Sequence, residues 1–156
     1  SLAGADTVLV DHLSSEAAAE VAKTYNRRFG CALNGVCANT DNDKINLVAT
    51  ADIIFSAAKA GVQVLNSFVL KDARQLKVAG DINAVPPMGI EGIKRSDLGV
   101  SLAHAIHSKG AVGVGALAVG NVKYQLQHNM LKSMLETQTP LFLDFRAAFT
   151  KAREIV

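Results

Sequence analysis

Leu76-Lys77-Val78-Ala79-Gly80 runs directly into Asp81-Ile82-Asn83-Ala84-Val85-Pro86-Pro87-Met88-Gly89-Ile90-Glu91-Gly92-Ile93. The first five residues read as a short buried strand. Polar groups then appear abruptly, followed by two prolines and two glycines. In an open α/β sheet, ligands sit beyond the carboxyl ends of the strands. A strand that ends in Asp-Ile-Asn and enters a stiff Pro-Pro loop therefore suits the wall of a ligand site. It equally suits a tight turn in which Asp and Asn bond their own backbone. Residue types alone leave both readings open.

Similar units lie on either side. Upstream, Thr7-Val8-Leu9-Val10 is a β-branched run that reads as a strand buried on both faces and ends at Asp11-His12. Ser14 then caps a helix with Glu16 in its first turn. Ala18, Val21, Ala22, Tyr25 and Phe29 form its apolar stripe, Arg27-Arg28 its last turn, and Gly30 its C′ residue. Residues 31–36 read as a second strand, 39–44 as a polar loop, and Ile45, Val48 and Ala49 as a short helix. Ile53-Ile54-Phe55 is the next strand, left through the small residues of Ser56-Ala57-Ala58-Lys59-Ala60-Gly61, and residues 62–70 read as a helix.

Downstream, residues 86–109 are too long for a structureless connection. Leu98, Leu102 and Ile106 at four-residue spacing predict a short helix inside it. Residues 111–117 read as a strand and 122–137 as a helix. Asp144 caps a last helix with the stripe Phe145, Ala148, Phe149, Ala152 and Ile155. Alternating strands and helices predict an α/β domain on a parallel sheet with right-handed crossovers.

Composition narrows the function classes. With 49% hydrophobic and 19% charged residues, the chain is globular and not disordered. No apolar run reaches the roughly 18 residues of a bilayer span. A net charge of +2, scattered basic residues and the absence of Trp argue against nucleic acid and membrane surfaces as partners. Two cysteines, Cys31 and Cys37, and four dispersed histidines offer no metal-ligand pattern. Free thiols of this kind, with no signal peptide in view, suit a cytoplasmic protein.

Asp11 is the first candidate for chemistry. In a dinucleotide-binding βαβ unit, an acidic residue at the end of the second strand accepts hydrogen bonds from the adenosine ribose and repels the extra phosphate of NADP. The confirming G-x-G-x-x-G loop belongs roughly twenty residues upstream, and only ten residues precede Asp11. That loop supplies the N–H groups that hold a pyrophosphate. The expected fold is thus a Rossmann-like doubly wound parallel sheet truncated at its N-terminus, with the first strand and the glycine loop missing. Ser1 to Ala5 would be the tail of the helix behind that loop. Residues 1–156 would form a single partial NAD(P)-binding domain, with C-terminal helices over 122–156. Unpaired sheet edges would favour self-association.

Three ordered blocks carry a resemblance. Phe55-Ser56-Ala57-Ala58-Lys59-Ala60-Gly61 resembles Phe-Thr-Ala-Gly-Ala-Ile-Gly of the bacterial NAD(P)-dependent methylene-tetrahydromethanopterin dehydrogenases. The stretch from Asp81 to Ile93 is similar to that family's Asp-Tyr-Asn-Ala-Gln-Pro-Pro-Leu-Gly-Ile-Gly-Gly-Ile. Residues 115–123, Gly-Ala-Leu-Ala-Val-Gly-Asn-Val-Lys, resemble its Gly-Ala-Leu-Gly-Ile-Gly-Gly-Leu-Lys. The resemblance implies the C-terminal, nucleotide-binding portion of an oxidoreductase. Such an enzyme moves hydride between methylene-tetrahydromethanopterin, or a related methylene-tetrahydropterin, and NAD or NADP in one-carbon metabolism.

It further implies cofactor contacts from Asp11, His12, Ala57, Ala58, Asn83, Gly115 and Ala116, and substrate-side positions at Pro87 and Lys123. No catalytic side chain follows, because the cofactor carries hydride chemistry and the protein orients it. The missing N-terminal region, or further copies of the chain, would be partners, and the fragment alone is expected to be inactive. Departures matter too: Asp11-His12-Leu13 stands where NADP-using members carry Gly-Arg-Lys, which favours NAD. Residues 96–108 do not match. Alternatives are a non-catalytic nucleotide-binding or assembly module, or another Rossmann dehydrogenase of tetrahydrofolate or shikimate type.

Overall fold

A computed structural model describes residues 1–155. It is a mixed α/β structure whose strands pair mostly in parallel, in two separate open sheets. The first sheet pairs β1 (Thr7–Asp11) with β2 (Leu33–Cys37) in parallel, joined by α1 (Ser15–Phe29). Both ends of α1 are set by residues visible in the sequence. Ser14 Oγ accepts the Ala17 N–H at 3.1 Å, and Gly30 takes the left-handed conformation, φ 64°, that closes the helix. A Cβ on Gly35 of β2 would collide with the Ala18 backbone, so glycine sets how closely α1 lies on this sheet.

The second sheet has the order β3-β4-β6-β5: β3 (Ile53–Ser56), β4 (Val78–Asp81), β5 (Leu98–Ser101) and β6 (Val112–Val114). β3, β4 and β6 are parallel, and β5 runs antiparallel along β6 with a bulge between Leu98 and Val100. Helix α2 (Asp41–Val48) crosses from β2 to β3, and α3 (Ser67–Leu70) lies between β3 and β4. Val48, Val69, Leu70, Leu76, Ala79, Ile90, Ile93 and Leu102 make the principal core, entirely on this second side. Asn66, which follows the exit of β3 and caps α3, donates to Asp41 Oδ2 at 3.3 Å at the start of α2. That bond joins the start of α3 to the start of α2. Helices α4 (Ala116–Glu136) and α5 (Phe145–Ala152) complete the chain, with Phe145 edge-on to Phe29 of α1 at 5.2 Å.

Several expectations change. β1 is not buried on both faces: Val8 and Val10 stand about half exposed because nothing covers their side. The helix expected over 62–70 shrinks to Ser67–Leu70, because the Val64 and Leu65 N–H groups donate to Gly89 O instead. The helix expected around Leu98, Leu102 and Ile106 is the strand β5, since Gly99 has φ 71° and the backbone pairs with β6. The sheet is therefore not wholly parallel. The strand expected over 111–117 ends at Val114, and the helix starts at Ala116, six residues earlier than Val122. Ser1 to Gly4 forms one turn, closed by the Gly4 N–H on Ser1 O at 2.9 Å, and not a helix end. The polar loop is also shorter, because Thr40 and Asp43 build a reciprocal cap that starts α2 at Asp41. The Asp144 cap stands, while Ile155 lies beyond α5.

Candidate functional site

Three parallel strands end side by side. The register pairs Ser56 of β3 with Asp81 of β4, and Gly80 of β4 with Val114 of β6. The segments starting at Ala57, Ile82 and Gly115 therefore leave one sheet edge in a row. This is the carboxyl edge, where open α/β sheets place ligands.

The middle segment is fastened from within. Asp81 is 1% exposed, and its carboxylate accepts the Asn83 N–H at 3.0 Å and the Ile90 N–H at 2.9 Å. These two bonds close the loop onto its own strand, so Asp81 is a structural residue. Asn83 is also buried. Its Oδ1 accepts the Val85 N–H at 3.0 Å and the Gly61 N–H at 3.4 Å, and its Nδ2 donates to Pro87 O at 3.1 Å. The Asn83 side chain thus joins the loop after β3 to the Pro-Pro loop after β4, whose Pro86–Pro87 peptide is cis.

Gly89 lies where any Cβ would strike Ser56 Oγ and press on the Asp81 carboxylate. The Ser56 hydroxyl is buried and has no hydrogen-bond partner among the described residues. Glu91 takes part as well, accepting the Ser67 N–H at 2.6 Å at the start of α3. Together these bonds make one stiff double loop.

The other candidates are distributed around it. Ala57 is exposed and Ala58 half-buried, so small side chains line the exit of β3. Gly115 is buried, and a Cβ there would collide with the carbonyls of Lys94 and Arg95, which wall it off on that side. Gly115 N–H donates to Asp97 O and Leu117 N–H to Arg95 O, both at 2.8 Å. Ala116 opens α4 beside them.

Pro87 is exposed on the loop rim. Lys123 is exposed but lies two turns inside α4, not at its start, so the structure does not bring it to the row. Asp11 and His12 end the other sheet. The Leu13 N–H donates to Asp11 Oδ1 at 2.7 Å, and the exposed His12 ring lies 3.6 Å from the same oxygen. No group of three His, Cys, Asp or Glu side chains converges as a metal site among the described residues.

Sequence reasoning missed the parts played by Ser56, Gly89, Glu91 and Asp97. Each works through partners remote in sequence, or through space that a side chain would fill. Only Asp97 left a local sign: it accepts the Lys94 N–H at 2.8 Å across a three-residue turn.

No family model matches the chain. Over 155 residues, 99% of its length, it is 46% identical to the NAD(P)-dependent methylenetetrahydromethanopterin dehydrogenase of Methylorubrum extorquens, covering 51% of that protein. The chain resembles this dehydrogenase family along nearly its whole length. It is also 26% identical, over 152 residues, to the bifunctional protein MdtA of the same organism, covering 50% of it. The chain spans about half the length of the curated relatives it matches.

Proposed function

We propose that this chain is the nucleotide-side portion of a cytoplasmic NAD(P)-dependent dehydrogenase of Rossmann-like fold. Its reaction would be hydride transfer between a methylene-tetrahydropterin and the nicotinamide. One observation carries the reading. The three blocks shared with the family fall on the adjacent exits of β3, β4 and β6, not on scattered surfaces. When bound, NAD or NADP supplies the hydride chemistry.

The residues present suit that group. Ala57 and Ala58 leave room for a flat ring to approach the backbone after β3. Asn83 holds the facing loop at a fixed distance through its bonds to Gly61 and Pro87. Pro87 presents a rigid apolar rim, and Gly115-Ala116 closes the far side of the row. Asp11, with His12 beside it, would accept hydrogen bonds from ribose hydroxyls, and its charge favours NAD over NADP. Fixed walls on both sides of a reacting pair lower the entropy lost in reaching the transition state. Lys123, exposed two turns into α4, stands apart from this row and has no part in the reading.

The test is NADH formation, followed by absorbance, when the full-length gene product meets methylene-tetrahydromethanopterin and NAD. Binding of NAD without pterin-dependent NADH formation would remove the substrate assignment and leave a nucleotide-binding module.

A further inference from the structure

We infer that Ser56 is a positioning residue whose hydroxyl, unpaired in the free protein, donates to the Asp81 carboxylate when the double loop settles on a bound nucleotide. Ser56 ends β3 beside Asp81 at the end of β4, and is 5% exposed. Among the described residues, its Oγ is the one buried side-chain oxygen or nitrogen without a hydrogen-bond partner. Buried hydroxyls are nearly always paired, so an orphan at the edge where ligands sit calls for a reason. An alanine would fill the same place with no polar group to bury.

Gly89 supplies the geometry. A Cβ there would strike Ser56 Oγ and lie 2.9 Å from Asp81 Oδ1, so the Gly89 backbone rests against both oxygens. That leaves no room for a bridging water on this side. Asp81 has acceptor capacity to spare. A carboxylate offers about four lone-pair positions, and the N–H groups of Asn83 and Ile90 take up only part of them. Gly89 is also where the double loop is gathered, because its carbonyl accepts the N–H groups of Val64 and Leu65. The two loops are tied to each other through Asn83, so they shift as one piece and Gly89 shifts with them. A small displacement of Gly89 opens the path from Ser56 Oγ to Asp81. The new bond adds to those from Asn83 and Ile90, and its ionised acceptor makes it stronger than a neutral pair. It favours the loop position that the ligand selects. Loss of the hydroxyl therefore lowers affinity without removing any bond of the free protein.

This inference rests on the nucleotide reading of the site, and its test separates the two. Ser56→Ala and Ser56→Thr are made in the full-length gene product. Urea unfolding is followed without ligand, and NAD binding is measured by calorimetry. Ser56→Ala is expected to unfold at the same or a higher urea concentration than the parent, yet to bind NAD about tenfold more weakly. Ser56→Thr, which keeps a hydroxyl, is expected to bind close to the parent. A merely structural serine would lose stability and affinity together, and that result overturns the inference. A loss of affinity that Ser56→Thr repeats overturns it too. If the parent binds NAD and Ser56→Ala binds equally well, this inference alone is lost; if the parent binds no NAD, the nucleotide reading falls and takes this inference with it.

Discussion

The unit of β1, α1 and β2 buries three alanines, Ala18, Ala22 and Ala38, whereas the unit around β3, β4 and β6 buries Leu70, Val69, Ile90, Ile93, Leu76 and Leu102. Both are parallel strands joined by a helical crossover, yet different terms hold them. The first depends on caps, a glycine that lets α1 approach β2, and ladder hydrogen bonds. The second depends on apolar side chains removed from water, worth about 1.5–3 kcal/mol for each large one fully buried. Sites that need fixed walls belong on the second kind of unit, and the row of strand exits lies there.

The largest expected effect breaks this contrast if it is wrong. Leu70→Ala removes a fully buried side chain from the principal core and should cost about 3 kcal/mol in urea unfolding. Ala22→Gly in α1 should cost roughly 1 kcal/mol. Equal losses at the two sites would show that burial does not separate the units.

Next comes the buried carboxylate. Asp81→Asn replaces one of two acceptor oxygens with an amide that faces the N–H of Asn83 or Ile90. Stability should fall by about 2 kcal/mol, the cost of leaving a buried group unpaired. The loop should also exchange its amides faster, above all at Ile90. A variant as stable as the parent would mean that the Asp81–Ile93 loop is not fastened through Asp81.

The fold was legible where a signal is local. Ser14, Gly30 and Asp144 marked helix ends by cap chemistry that needs no distant partner, and the structure uses all three as expected. The signal failed at Leu98, Leu102 and Ile106. Their four-residue spacing imitates a helix, but only Leu102 is buried, and Leu98 sits in a strand whose partner Val114 is sixteen residues away. Long-range pairing overrode periodicity.

The same division holds at the site. That Asp81-to-Ile93 follows a strand was visible, and so were the small residues after Phe55. The Asn83 side chain reaches Gly61 across twenty-two residues, so its role as a tie between loops left no mark in the local sequence.

The two units differ again at the exits of their strands. Exchanging Asp11→Gly with His12→Arg on the first unit should shift the NAD/NADP preference of the full-length protein by about tenfold towards NADP, or about 1.4 kcal/mol. An unchanged ratio would show that Asp11 does not read the ribose. Asn83→Asp, on the second unit, removes the donor to Pro87 O but keeps the acceptor for Gly61 and Val85. It should weaken affinity for both cofactors about fivefold, roughly 1 kcal/mol, and leave their ratio alone. A change in ratio from Asn83→Asp would assign discrimination to the wrong unit.

The smallest effect concerns acid. Asp43 at the start of α2 has its carboxyl pKa lowered from the ordinary 3.8, chiefly by the Thr40 backbone N–H and then by the Thr40 hydroxyl. Glu16 in α1 is lowered from 4.5 by its own backbone N–H and by Ser14. A carboxylate whose pKa falls on folding stabilises the fold above its unfolded value and stops doing so as the pH drops through the lower folded value. Both side chains are exposed, so each contribution is modest. Glu16 belongs to the first unit and Asp43 to the helix that joins the two units, while the side chains of Leu70, Val69, Leu76 and Ile93 that make the principal core carry no charge. Acidification should therefore loosen α1 and α2 before the principal core, seen as faster amide exchange at 15–29 and 41–48 while 78–81 stays protected. In Asp43→Ala, α2 should already be looser at neutral pH and should lose its acid dependence. If the core strands open first, the acid sensitivity lies elsewhere and the first unit is the sturdier of the two.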